Sequence, residues 1–186
     1  MSILEKKGEA TALEQQVATA ITEIKASAEE GIKKSMNSLK ITGAKEADSN
    51  GVKVIIIEVP YKQINGYHQI QGIVIPELEK KLGNAQVVIV AKRRAFPKTP
   101  QPGRRYKAIR NAGRTLRAVH EGLLDDVVYP TAIVAKRTHY GLDGKLTTYV
   151  TLDAHDKTRV EDRLNSFAAA YHKLTGLKTV FEIATH

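Results

Sequence analysis

Cysteine does not occur among the 186 residues. Without a thiol the chain has no disulfide framework, thiolate nucleophile, iron–sulfur cluster or cysteine-ligated zinc site. Long apolar runs are equally scarce: the stretch Val54 to Ile57 stops at Glu58, far short of the roughly 20 residues a membrane-spanning helix needs. Glu5 and Lys6 stand where a signal peptide would place its apolar stretch, so no secretion signal and no membrane contact are expected. The motifs of catalysis are missing too. There is no His-Glu-x-x-His and no calcium-loop pattern, and the six His are scattered.

Isolated polar residues fit structural roles better than chemical ones. His155 precedes Asp156 at the expected start of a helix, where the carboxylate serves as a cap and no nucleophile motif accompanies the imidazole. His68 and His172 flank apolar helix faces. Asp125 and Asp126, adjacent on one helix, point in different directions, whereas an acid/base pair must converge on a substrate. Ala112-Gly113-Arg114-Thr115 resembles the end of a phosphate-binding loop but lacks its Lys, and Ala108 stands where the first Gly belongs. The expectation is a protein without enzymatic activity, without a small-molecule substrate, and with no cofactor or metal.

What the chain does have is positive charge in one place. Twenty-nine Lys and Arg against 20 Asp and Glu give a net charge of +9. Between Ala91 and His120 lie Lys92, Arg93, Arg94, Lys98, Arg104, Arg105, Lys107, Arg110, Arg114 and Arg117, with no acid among them. The remaining 19 basic residues against 20 acids leave the rest of the chain at −1. Pro97, Pro100, Pro102, Gly103 and Gly113 break this segment, a composition that resists helix and sheet alike.

The segment therefore reads as a basic loop inserted into a nearly neutral globule. Crowded like charges call for a polyanion, and the abundance of Arg favours bidentate phosphate contacts. Phe96 and Tyr106 add rings able to stack on unpaired bases or to pin the loop to the body. The bland alternatives are a solvated charge run or a nuclear-import signal.

Periodicity supplies the body. Thr11-Ala12-Leu13-Glu14 is a capping box. Leu13, Val17, Ile21, Ile24 and Ala28 then predict a helix over 12–30. Leu39 to Pro60 reads as two strands around the turn Asp48-Ser49-Asn50-Gly51, and the second, Val52 to Val59, is apolar enough to be covered on both faces. Ile70, Val74, Leu78 and Leu82 predict a helix ending at Gly83. Pro76 requires either a kink there or a helix that starts near Ile75.

Val87 to Val90 is a short buried strand. A helix then carries Leu116, Val119, Leu123 and Val127 and ends at Tyr129-Pro130. The strands Thr131 to Tyr140 and Lys145 to Asp153, a helix over 156–175 and a final strand Thr179 to Ile183 repeat the first half's order. The expected fold is α/β: an N-terminal helix, then two strand–strand–helix–strand units with mixed sheets and a basic loop between them. One domain, 1–186, would divide into 1–90, the loop 91–115, and 116–186.

Several blocks also carry a resemblance. Glu77-Leu78-Glu79-Lys80-Lys81-Leu82, Val88 to Arg94, Gly113-Arg114-Thr115-Leu116-Arg117-Ala118-Val119-His120-Glu121, Tyr129-Pro130, Ala135-Lys136-Arg137, Tyr171 to Gly176 and Val180 to Ile183 are similar in order to the eukaryote-specific small-subunit ribosomal protein family called seven-e. That family is distinct from the bacterial protein called seven. The resemblance spans the chain from its first helix onward. Pro76 and Leu82 depart from the family pattern.

The resemblance implies a structural, non-catalytic constituent of the small ribosomal subunit that supports subunit assembly and translation. It implies passage through the nucleolus during assembly and residence in cytoplasmic ribosomes. The implied partners are ribosomal RNA, neighbouring ribosomal proteins and assembly factors of the precursor. The implied RNA-facing residues are Lys92, Arg93, Arg94, Arg114, Arg117 and His120. Lys98, Arg104, Arg105, Tyr106, Lys107 and Arg110 join them from the composition of the loop alone. The competing reading is a free-standing RNA- or DNA-binding regulator using the same loop.

Overall fold

The computed structural model describes residues 4–5, 10–28, 30–37, 39–49, 51–95 and 114–184. Two three-stranded sheets form its frame. The first contains β1 (Gly43–Ser49), β2 (Val52–Pro60) and β3 (Gln86–Lys92) in the order β1-β2-β3; the second contains β4 (Ile133–Tyr140), β5 (Leu146–Leu152) and β6 (Lys178–Ile183) in the order β4-β5-β6. Within each sheet the first pair is antiparallel and the second parallel. The expected internal repeat is thus present as topology, for a simple reason. An antiparallel pair closes through a tight turn, and a parallel pair needs a helical crossover.

The helices are α1 (Ala12–Ser27), α2 (Glu30–Asn37), α3 (Ile64–Lys81), α4 (Leu116–Val128), α5 (Lys157–Val160) and α6 (Leu164–Thr175). Helix α3 connects β2 to β3, and α6 lies between β5 and β6. Alternate residues of the first sheet enter two separate cores. Ile55, Ile57, Val59, Val87, Ile89 and Ala91 pack against α1, α2 and α3, while Val54, Ile56, Val88 and Val90 pack against α4, α6 and the inner face of the second sheet. Strands β2 and β3 are therefore covered on both sides, as the unbroken apolar run requires. The resulting order of layers is helices, sheet, helices, sheet. The outer face of the last sheet, with Arg137, Tyr149 and Val180 in register, is partly or fully exposed.

Several expectations need correction. The first helix stops at Ser27 rather than at residue 30, because Ala28 is extended at ψ 158°, and a second short helix follows. Its capping box is present: the Thr11 backbone N–H donates to Glu14 Oε2 at 2.9 Å, and the Glu14 N–H donates to Thr11 Oγ1 at 3.4 Å. Helix α3 starts at Ile64 and continues through Pro76. The hydrogen bond that proline forfeits is the one to Gly72, and both residues are solvent-exposed, where water can serve the carbonyl.

The last long helix is broken. A 3₁₀ turn at Glu161–Arg163 separates α5 from α6, and Asp153, not Asp156, accepts the local backbone N–H, from His155 at 3.2 Å. On α4, Leu116 lies outside the apolar stripe and is 61% exposed, while Leu124 is buried. Ala91 and Lys92 end β3, so the basic loop starts two residues later than expected; its residues 96–113, with Phe96, lie outside the described ones.

Candidate nucleic-acid interface

The basic run emerges from the end of the most buried strand. Val90 and Ala91 anchor β3 in the two cores, and parallel pairing aligns Pro60 with Lys92. Tyr61 and Arg93 are consequently neighbours although 32 positions separate them in sequence, and the Arg93 guanidinium lies over the Tyr61 ring at 5.3 Å from its centroid. Arg93 then crosses α4 at Gly122, where an added Cβ would stand 2.8 Å from its Nε. It ends at Asp126. Arg93 Nη2 donates to Asp126 Oδ1 at 3.0 Å, Nη1 pairs with Oδ2, and the Ala91 N–H donates to the same Oδ2 at 2.8 Å. Asp126 is almost wholly buried, so a charge of opposite sign is needed beside it.

Of the residues expected to face RNA, Arg93 is thus satisfied within the protein. Lys92 and Arg94 alternate outwards beside it and are exposed. Lys92 Nζ lies 3.5 Å from Glu58 Oε2, and Lys45 Nζ 2.5 Å from Glu58 Oε1, so two cations share one carboxylate. Arg114 approaches from the other end of the basic segment and its Nε donates to the Arg94 carbonyl at 3.4 Å. Thr115 then caps α4, its hydroxyl accepting from the Ala118 N–H at 3.3 Å.

Lys92, Arg93, Arg94 and Arg114 come together in an open cleft of about 750 Å³ whose other walls are Thr42, Pro60, Tyr61, Ala118, Val119 and Gly122. Arg117 and His120 lie farther along α4. Arg117 is fully presented to solvent and its Nε donates to Glu121 Oε1 at 3.1 Å; Lys136 of β4 reaches the same oxygen at 3.8 Å. His120 is half-buried. Burial, with Lys136 nearby, holds its pKa below the ordinary 6.5. Lys98, Arg104, Arg105, Tyr106, Lys107 and Arg110 lie outside the described residues.

Two contributors escaped sequence reasoning. Tyr61 follows a proline at a strand end and carries no signal of its own; only the β2–β3 register brings it to the basic run. Lys136 adjoins α4 through Glu121, a contact between elements that no local pattern encodes. The arrangement as a whole presents cations around a concave surface with one exposed aromatic ring, Tyr61.

Comparison with known proteins agrees. The family model described as Ribosomal protein S7e matches residues 2–183. The small ribosomal subunit protein eS7 of Anopheles gambiae is 39% identical over 177 residues, covering 94% of this chain and 91% of that one. The eS7z protein of Arabidopsis thaliana is 40% identical, covering 96% and 92%. The eS7 protein of Schizosaccharomyces pombe is 41% identical, covering 80% and 76%. With the family model matched over nearly the whole length and relatives about 40% identical across more than nine-tenths of it, the chain belongs to the ribosomal protein S7e family.

Proposed function

We propose that this protein is a structural constituent of the small ribosomal subunit that binds ribosomal RNA and supports subunit assembly and translation without catalysing a reaction. The observation that carries this reading is the family match across residues 2–183 combined with the confinement of the surplus charge to Ala91–His120. Residues 1–92 and 116–186 form the body, and the basic segment between them meets RNA together with the end of β3 and the start of α4. Lys92, Arg94, Arg114 and Arg117 contact phosphates, joined by Lys98, Arg104, Arg105, Lys107 and Arg110, with Tyr106 and His120 against bases or sugars. Phosphate contacts position a protein without reading sequence, so specificity comes from RNA shape and protein neighbours.

Assembly factors are partners in the precursor, and the protein passes through the nucleolus before residing in cytoplasmic ribosomes. Sucrose-gradient fractionation of cells carrying a tagged chain tests this. Stoichiometric migration with small subunits is expected. Absence from them would favour a free-standing RNA- or DNA-binding regulator.

A further inference from the structure

Tyr61 is 62% exposed, unusual for an aromatic ring that also lines a cleft between two structural elements. One of its faces lies against Arg93, whose charge Asp126 already balances. That contact fixes the ring without consuming it. The cleft is lined by the small apolar residues Ala118, Val119 and Gly122 and by the cations Lys92, Arg94 and Arg114. A flat aromatic face in a cleft that cations also line matches a nucleotide: the base supplies a π-surface, and the phosphates on either side supply negative charge. A duplex cannot use such a ring, because its bases are already stacked and its major groove is too narrow for side chains.

We propose that Tyr61 is a stacking platform for one unpaired RNA base, whose neighbouring phosphates are held by Lys92, Arg94 and Arg114. The proposal rests on the reading of the protein as RNA-binding and adds to it a single-stranded contact outside the 96–113 segment. Tyr61 leads into the turn after β2, so the platform is carried by the body. Arg93 is the positioning residue: it holds the ring by one face and is itself held by Asp126.

The test uses the full chain, a fluorescein-labelled oligouridylate about eight nucleotides long, and an RNA duplex of the same strand length, in fluorescence anisotropy titrations at several salt concentrations. Tyr61→Ala is expected to weaken oligouridylate binding by about 5- to 150-fold, the span of one lost base–aromatic stack. It should leave duplex binding and the salt slope unchanged. Tyr61→Phe retains the wild-type affinity, and Tyr61→Leu, which keeps bulk but no ring, behaves as Tyr61→Ala. Arg114→Ala lowers the salt slope for the single strand by about 0.7, the share of one phosphate contact.

The ring is exposed, so thermal melting of the variants should match wild type. Equal oligouridylate affinity for wild type and Tyr61→Ala, or equal loss for both RNAs, would overturn the platform while leaving RNA binding intact. Failure of the wild-type chain to bind either RNA with salt-dependent affinity would overturn the functional reading and the platform with it.

Discussion

Asp126 holds three donors at once: the two outer nitrogens of Arg93 and the Ala91 backbone N–H. Its role was illegible in the sequence, where Asp125-Asp126 is only a pair of acids on a helix, because the partner Arg93 lies 33 residues earlier, just past the end of β3. Asp126→Ala removes the paired carboxylate of half-buried Arg93 and the acceptor of the Ala91 N–H, and should cost about 1.5–3 kcal/mol in urea unfolding. At His68 the consequence depends on pH. Its ring stacks on Tyr129 at 3.8 Å; burial lowers its pKa from 6.5, Asp126 opposes the shift and Arg93 adds to it.

His120 is lowered as well. A lowered folded-state pKa means the unfolded chain takes the proton first, so stability is full above about pH 6.5 and declines as the pH falls below it. Asp125, whose pKa is raised by burial, acts in the opposite sense, and its contribution is common to wild type and a His68 variant. His68→Phe keeps the ring and removes the titration; a urea midpoint that changes less between pH 7.5 and 5.5 than in wild type is expected.

Among the elements, those whose cause is local were readable and those set by distant contacts were not. The α1 capping box, the Gly51 turn at φ 87° and the Gly176 stop of α6 at φ 73° each follow from a few adjacent residues. Gly176→Ala places a Cβ in the left-handed region and should cost about 1–2 kcal/mol, read as a lowered melting temperature. By contrast, Pro76 persists inside α3 because Ile70, Val74 and Leu78 bury their side chains along one face, and that tertiary packing outweighs one forfeited bond.

The two halves are joined partly by charge. Arg163 Nη2 donates to Glu79 Oε1 at 2.7 Å and to Oε2 at 2.9 Å, and the Val87 N–H donates to the same Oε1 at 3.1 Å. Both side chains are largely buried, so Arg163→Ala should destabilise by about 1.5–3 kcal/mol in chemical unfolding, more than an exposed ion pair would.

At the scale of the molecule, the +9 belongs to one segment, and the body is close to neutral. The fold brings Arg94 and Arg114, from the two ends of that segment, within hydrogen-bond reach of each other on the doubled α/β frame. The charge and its location were legible in composition. The cleft was not, since it requires β2, β3 and α4 to meet. The most direct test of the central claim is gradient sedimentation of the chain lacking residues 97–111, which spare Arg94, Arg114 and both cores. The account predicts a folded protein, with a wild-type melting transition, that is lost from small subunits; normal co-sedimentation of that variant with small subunits would contradict it.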